Sequence, residues 1–321
     1  MGIGDTDMGS DMEFGLMVEP QVGGSYERLL ELARWAESEG LDAFARSDHY
    51  LDQDRSAPVT DALTSFGGLA RETARIQLVV LVTPLTFRHP AVIAKTATTI
   101  DEMSGGRFAL GVGTGWMEQE HEAFGIPLPD LRERFSRLYE TLAYLRAAFW
   151  STDGFTGRHY RLAPMEVLPR PTGPLPIIVG GSGMTKTPTF AGRFADEYNM
   201  FVTDADTLDR RLEVMRRAAV DAGRDPDAIK VSFAGPAIVA DTEASYGELL
   251  AHRAARRGVS VPEYVSLLEE RNIPRGTPER AAASIRALAD LGVDRYYLQE
   301  YRSLEDIDTG ALSGVFAALR G

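Results

Sequence analysis

An aspartate and a histidine stand side by side at Asp48 and His49, directly after the predicted strand 42–47. Histidine changes its charge near neutral pH, so it can exchange a proton with a reacting group or bind it through a hydrogen bond. A structural alternative stays open, in which Asp48 caps the next segment and His49 is an ordinary surface histidine. The position directly after a predicted strand favours the functional interpretation. We therefore predict that Asp48 and His49 are catalytic.

A first glycine-rich turn leads from an apolar run into Trp116 and contains Gly113, Thr114 and Gly115. Glycine lets a backbone approach a ligand closely, so this turn is a candidate seat for a planar cofactor. A purely structural turn is the alternative. The glutamates at 118, 120 and 122 follow in a predicted helix, where the helix dipole favours carboxylates in the first turn, and we expect them to be solvated.

A second glycine-rich loop precedes a predicted helix over 184–193 and consists of Gly180, Gly181, Ser182 and Gly183. The backbone amides of such a loop and of a helix N-terminus form an anion site. Lys186 in the first helical turn adds a positive charge. The loop therefore predicts a phosphate-bearing ligand, with a flexible loop of no function as the alternative.

Composition and charge restrict the function classes. The 321 residues carry a formal net charge of −13, no cysteine and five scattered histidines, so we expect neither thiolate chemistry nor a metal site. The negative charge argues against nucleic-acid and anionic membrane partners. No apolar run approaches the roughly 20 residues that span a bilayer, and residues 1–12 are expected to be a disordered leader. We expect a cytoplasmic protein whose partner is a small-molecule substrate.

The elements that must position these residues alternate as strand and helix, which is typical of a parallel sheet. Eight strands are predicted, at 14–18, 42–47, 76–82, 107–112, 176–179, 197–202, 231–234 and 295–299. The fold class is α/β, a (β/α)₈ TIM barrel with rim insertions near 151–171 and 241–275, and 13–321 form a single catalytic domain. In such a barrel the chemistry lies where the strands end.

Short motifs occur in a characteristic order along nearly the whole chain. They include Ser47-Asp48-His49, Arg88-His89-Pro90, Gly111 to Trp116, Gly180 to Gly183, and Gly276-Thr277-Pro278-Glu279. Together they resemble the luciferase-like monooxygenase superfamily, and within it the branch of oxidoreductases that depend on the deazaflavin coenzyme F420. The resemblance implies a bacterial luciferase-like barrel, coenzyme F420 at its mouth, hydride transfer at the cofactor ring and a homodimer.

The resemblance also implies roles for particular residues. The cofactor ring would rest on a bulge with a non-proline cis peptide near Leu81-Val82, and its phosphate would lie at Gly180 to Gly183. Asp48 and His49 would face the ring, with His49 handling the proton, and Thr114 and Gly115 would line it. One alternative is a monooxygenase that uses reduced FMN, and a second is a non-catalytic barrel that binds a cofactor.

The sequence departs from the sugar-phosphate dehydrogenases of this branch. Those enzymes have an acid where this chain has Trp116, and a tryptophan shortly after the histidine, where this chain has Leu51, Asp52 and Gln53. Oxidation of a sugar phosphate is therefore not expected. The predicted substrate pocket contains Tyr50, Phe87 and Trp116, which suggests a small and partly apolar substrate.

Overall fold

The computed structural model describes residues 12–52 and 57–320. The leader expected at 1–12 lies outside the described residues, apart from Met12. In chain order the strands are β1 (Glu13–Val18), β2 (Ala43–Arg46), β3 (Gln77–Pro84), β4 (Phe108–Gly113), β5 (Phe155–Thr156), β6 (Arg161–Leu162), β7 (Ile177–Gly180), β8 (Glu197–Phe201), β9 (Lys230–Gly235), β10 (Ile238–Val239), β11 (Arg275–Gly276) and β12 (Arg295–Glu300).

Eight of these strands close a parallel barrel in the order β1, β2, β3, β4, β7, β8, β9 and β12, and β12 pairs with β1. They are the eight strands that the alternating pattern predicts, with ends that differ by no more than two residues. The (β/α)₈ barrel is therefore confirmed. Because all strands run in the same direction, the loops that carry the candidate residues meet at one end, the mouth.

The helices are α1 (Tyr26–Ser38), α2 (Ala62–Glu72), α3 (Pro90–Ser104), α4 (Glu118–Phe124), α5 (Leu131–Trp150), α6 (Lys186–Phe194), α7 (Ala205–Asp221), α8 (Glu243–Arg257), α9 (Val261–Glu270), α10 (Pro278–Arg286) and α11 (Thr309–Arg320). Local capping sets several helix starts. The Asp61 carboxylate accepts from the backbone N–H of Thr64 at the start of α2, and His89 caps α3. α6 begins at Lys186, two residues later than expected.

The barrel interior holds small side chains around one large ring. Ala43, Ala45, Ala109 and Ala234 pack there with Tyr297. A Cβ atom at position 15 of β1 would lie 2.7 Å from the Tyr297 ring, so a glycine at this position makes room for the tyrosine. Side chains therefore pack inside the barrel, which holds the strands in fixed positions.

The bottom of the barrel, where the strands begin, is closed by an ionic network. Arg295 lies between two carboxylates, at 2.6 Å from Glu13 and 2.8 Å from Glu197. The hydroxyl of Tyr297 accepts from Arg295 and donates to Glu197, and Ser232 donates to the same carboxylate. Every charge here has a direct partner of opposite sign.

Two additions extend the barrel at the positions where insertions are expected. β5 and β6 form a short antiparallel hairpin after α5. After β9 the chain forms β10, α8, α9 and β11, and β10 pairs with β11. These helices bury a small apolar cluster of their own, which includes Tyr246 and Leu250 of α8 and Tyr264 and Leu268 of α9.

Candidate functional site

The buried carboxylate of Asp48 is anchored at the mouth by β3 and the turn after it. Asp48 accepts a hydrogen bond of 2.7 Å from the hydroxyl of Thr83 and one of 2.5 Å from Arg88. The other arm of Arg88 binds Asp61, the N-cap of α2. Burial lowers the pKa of Arg88, but the charges of Asp48 and Asp61 outweigh that effect and raise it. Asp48 is therefore held as one member of a bridged acid–base–acid group.

His49 is paired with a fully buried glutamate on α4. Its Nδ1 atom lies 3.1 and 3.2 Å from the two carboxylate oxygens of Glu120, and the backbone N–H of Tyr50 donates to the same group at 3.0 Å. Within the described residues the Nε2 atom of His49 makes no hydrogen bond. Glu120 therefore fixes the ring and leaves Nε2 as the atom that can exchange a proton.

The pKa of His49 is raised above its ordinary value. Burial by itself lowers the pKa, but the hydrogen bond to Glu120 and its negative charge outweigh burial, and the charges of Glu19 and Asp48 add to the effect. A histidine in this setting carries its proton further into the neutral range than a free imidazole does. It is suited to donate that proton to a group that becomes more basic during reaction.

The expectation that the glutamates after Trp116 are solvated is wrong for Glu120. This side chain is 0% exposed, whereas Glu118 and Glu122 on the same helix are exposed. The sequence carries no signal that separates Glu120 from Glu118 and Glu122, and its burial follows from its contact with His49. Trp116 contacts the imidazole edge-on, with ring centroids 5.6 Å apart.

The strand that was expected to support a cofactor ring is irregular at the expected position. The peptide bond between Leu81 and Val82 is cis, and the pairing of β3 with β4 shifts its register between Val80 and Thr83. Val82 packs against two of the predicted cofactor-binding glycines. If Gly113 carried a Cβ atom, that atom would lie 2.7 Å from a Val82 methyl group, and at Gly180 the same distance would be 2.8 Å. These glycines therefore make room for Val82.

The turn after Gly113 packs under α4 and α5. Gly115 has a φ of 76° and its carbonyl accepts from Arg134, while an added Cβ atom would lie 3.0 Å from the Thr86 hydroxyl. Thr114 is half-buried between the two glycines. The turn thus lies at the mouth beside β3, and the ligand-lining role of Thr114 and Gly115 stays a prediction.

The second glycine-rich loop leads directly into α6, which is nine residues long. Its N-cap, Thr185, makes no side-chain hydrogen bond, in contrast to the capped starts of α2 and α3. The first-turn amides are therefore not used by a capping side chain and stay available for an anion. Gly181 has a φ of 146°, and Gly183 lies against Thr187, so both positions favour glycine.

Lys186 is exposed in the first turn of α6. Its ammonium group lies 4.9 Å from the ring centroid of Phe135 on α5, and both residues line a small cavity of 310 Å³ with Arg132 and Tyr139. The carbonyl of Ser182 accepts from Arg211 at 2.7 Å, which ties the loop to α7. The loop thus combines unused amides with two nearby cations.

The predicted pocket aromatics are brought together only in part. Tyr50 and Phe87 stack on each other with ring centroids 4.2 Å apart, and the Tyr50 hydroxyl donates to Asp61 at 3.1 Å. Trp116 lies beside His49 and is 62% exposed. The first two rings are engaged with each other, whereas the indole is open to solvent at the rim.

A larger cavity lies at the mouth beyond β8 and β9, under the α8–α9 addition. It has a volume of 490 Å³ and is lined by apolar residues together with three arginines, Arg253, Arg257 and Arg271. Tyr301, directly after β12, also lines it. Tyr50, Phe87 and Trp116 are not among its lining residues. The insertion near 241–275 is predictable from the sequence, whereas this cavity is not.

Two further observations concern only the described part of the chain. In residues 12–52 and 57–320 no helix is both long and apolar enough to cross a membrane. In the same ranges no group of three or more histidine, aspartate or glutamate side chains is arranged so that it could hold a metal ion.

A family model described as luciferase-like monooxygenase matches residues 12–295. The chain belongs to the luciferase-like monooxygenase family. Among members, an F420-dependent glucose-6-phosphate dehydrogenase of Nakamurella multipartita is 31% identical over 306 residues, which are 88% of each chain. Another of Kineococcus radiotolerans is 39% identical over 179 residues, and these span 53% of this chain and 51% of the relative.

The family fold is also found among solved structures. An F420-dependent secondary alcohol dehydrogenase in complex with an F420-acetone adduct superposes with a TM-score of 0.79 at 19% identity, covering 97% of this chain and 99% of the other. At this identity the similarity shows the fold alone. The chain spans about half the length of the first curated relatives that it matches, at 51% and 52%.

Proposed function

We propose that the protein is an F420-dependent oxidoreductase that transfers a hydride to or from a small, partly apolar organic substrate. The observation that carries this proposal is the His49–Glu120 pair, which holds the imidazole at the barrel mouth through Nδ1 and leaves Nε2 free of protein partners in the described ranges. The F420-dependent relatives supply the choice of cofactor.

The residues present fit a deazaflavin that carries a phosphate. The uncapped first turn of α6 and the loop Gly181 to Gly183 would bind the phosphate, with Lys186 beside it. The irregular strand at Leu81-Val82 and the turn at Gly113 to Gly115 would support the ring. When bound, the deazaflavin supplies a carbon that accepts or donates a hydride.

The chain's own residues would orient the reactants and handle one proton. Asp48 is held by Thr83 and Arg88 and would fix the loop on which His49 stands. Glu120 holds the Nδ1 side of His49, so the proton would move at Nε2. The edge of Trp116 shields one side of the imidazole, which limits its contact with water.

We further propose that the 490 Å³ cavity under the α8–α9 addition receives part of the substrate. Its apolar wall suits a carbon skeleton, and its three arginines favour an acidic group over a basic one. Trp116 replaces an acid that the sugar-phosphate enzymes have, so glucose 6-phosphate is not the expected substrate.

A binding experiment tests the cofactor. The purified protein is titrated with coenzyme F420 and, separately, with FMN, and changes in cofactor fluorescence are recorded. We expect saturable binding of F420 and much weaker binding of FMN. Tight binding of FMN without binding of F420 would overturn the proposal in favour of a reduced-flavin monooxygenase, the second candidate that the family model's description favours.

A substrate screen follows with the F420-loaded protein. Small alcohols, aldehydes and enones with and without an acidic group are tested by the change in visible absorption of the deazaflavin, with glucose 6-phosphate included. We expect turnover among the acidic, partly apolar compounds. Turnover of glucose 6-phosphate alone would show that Trp116 does not have the effect assigned to it.

Three broader proposals complete the assignment. Residues 13–321 act as one catalytic domain, the protein works as a homodimer, and it resides in the cytoplasm without a nucleic-acid partner. Light scattering coupled to size-exclusion chromatography measures the oligomeric state, and a mass of one 35.1 kDa chain would contradict the dimer.

A further inference from the structure

Five side chains form a continuous hydrogen-bonded chain along the mouth, at the ends of β12, β1 and β2. Tyr301 donates to Gln299 at 2.7 Å, and Gln299 donates to one carboxylate oxygen of Glu19. Gln21 donates to the other oxygen at 2.6 Å, and Ser47 donates to Gln21 at 2.7 Å. The chain is continuous from Tyr301 to Ser47.

The barrel brings these residues together from three neighbouring strands. Glu19 and Gln21 follow β1, Gln299 lies near the end of β12, and Ser47 follows β2. The register pairs Met17 of β1 with Gln299. The four residues from Gln299 to Ser47 are buried, so their hydrogen bonds are shielded from water.

The two ends of this chain lie at the two parts of the proposed site. Ser47 directly precedes Asp48 and His49, and Tyr301 lines the cavity that would receive the substrate. The hydrogen bonds therefore connect the loop of His49 with the lining of the cavity. The sequence gives no sign that any of these five hydrogen-bonded side chains has such a role.

Glu19 stands at the centre of the chain and is the only charged member. Within residues 12–52 and 57–320 its oxygens are bound by two neutral amides and by no cation at ion-pair distance. A buried carboxylate without a paired cation costs free energy unless other interactions compensate. Its charge instead acts over a longer distance on His49, whose pKa it helps to raise.

We propose that Glu19 is a positioning residue of the reaction proposed above, and that it fixes the loop of Asp48 and His49 relative to the substrate cavity. This role of Glu19 in the reaction rests on the proposed function. The hydrogen bonds set the position of the loop through Ser47. The charge of Glu19 favours the protonated form of the histidine.

The charged groups around His49 come from several elements: Glu120 on α4, Asp48 on its own loop, Glu19 after β1, and the cations Arg88 and Arg46, which act on Asp48. Unlike Glu120, Glu19 makes no hydrogen bond to the imidazole, so its charge can be removed without breaking that direct contact. A change at Glu19 therefore separates the effect of charge from the effect of the Glu120 hydrogen bond.

Glu19→Gln tests the charge without any cofactor or substrate. The five histidines are labelled with ¹³C, their ring signals are followed by NMR against pH, and His49→Gln assigns the His49 signal. We expect the pKa of His49 to fall by about 0.5 unit or more, as one nearby charge is lost. Glu300→Gln, at the end of β12 but paired with Arg302, is the control and should leave that pKa unchanged.

Ser47→Ala tests the hydrogen-bonded connection and keeps every charge. We expect backbone amides at 47–50 to exchange with deuterium about tenfold faster at an unchanged melting temperature, because the loop loses its tie to Gln21. The proposal is overturned if His49 titrates as in the wild type in Glu19→Gln, or if this loop exchanges at the wild-type rate in Ser47→Ala. Failure of F420 to bind would overturn the proposed function and leave both results intact.

Discussion

Both ends of the barrel place an arginine between two carboxylates, but the mouth also contains buried groups that lack such a pair. At the bottom, Arg295 lies between Glu13 and Glu197, and each carboxylate directly contacts the cation. At the mouth, His49 keeps one ring nitrogen free of protein partners in the described residues, and Glu19 is bound by amides. Removing one member of a buried ion pair destabilises a fold, whereas a group that is incompletely paired stays able to react.

The largest expected effect is on catalysis at the mouth. His49→Gln removes the proton-exchanging nitrogen and retains a polar side chain of similar size. We expect turnover of the substrate found in the screen to fall about 100- to 10,000-fold, the range of general acid–base catalysis. F420 affinity and the melting temperature should change little, and loss of both together with activity would place His49 with the structural residues.

At the bottom of the barrel, removal of a charged group should lower the free energy of unfolding. Arg295→Met leaves the buried Glu197 without its cation, whereas Glu13 keeps Lys230, and breaking a buried pair in this way costs about 3–5 kcal/mol. Urea unfolding followed by circular dichroism measures the loss. The control Arg302→Met removes an exposed partner of Glu300 and should cost less than about 1 kcal/mol. Equal effects of the two changes would contradict the comparison.

Glu120→Gln tests the His49–Glu120 pair at the mouth through the pH dependence of the free energy of unfolding. The pKa of His49 is higher in the folded protein than in the unfolded chain. Its contribution to the free energy of unfolding is therefore fully present below the unfolded-state pKa and is lost as pH rises through the folded-state pKa. Wild-type stability should therefore contain a component that declines with pH in this window. In Glu120→Gln the component should disappear or reverse, because burial then dominates.

The matched control for this change is Glu122→Gln, which alters an exposed carboxylate on the same helix. Urea unfolding at several pH values on both sides of neutrality measures the slope for each variant. Parallel slopes in the wild type and Glu120→Gln would show that His49 does not draw its proton affinity from Glu120.

The smallest expected effect comes from an exposed charge at the mouth. Lys186→Met should weaken F420 binding about two- to fivefold, since an exposed charge near a helix N-terminus is screened by solvent and salt. Arg193→Met, at the other end of α6, is the control and should leave the affinity unchanged. An effect of Lys186→Met that persists at high salt would contradict a screened electrostatic role.

Much of the fold follows from local sequence patterns. The eight strands were predictable because apolar runs of strand length alternate with amphipathic helices, and each pattern is decided by neighbours in sequence. The Asp48-His49 pair and both glycine loops were predictable because they directly follow such strands. Glu120 was not, because its helix-start position explains a solvated carboxylate equally well, and its burial depends on the loop after β2.

The sequence by itself determined the barrel, the family and the end of the barrel at which chemistry can occur. Only the tertiary structure decided which polar and charged side chains contact each other there. Glu120 reaches His49 across 71 positions, and Gln299 reaches Glu19 across 280. The physical reason is that these contacts form between loops whose distance is set by barrel closure. A local sequence pattern does not predict that distance.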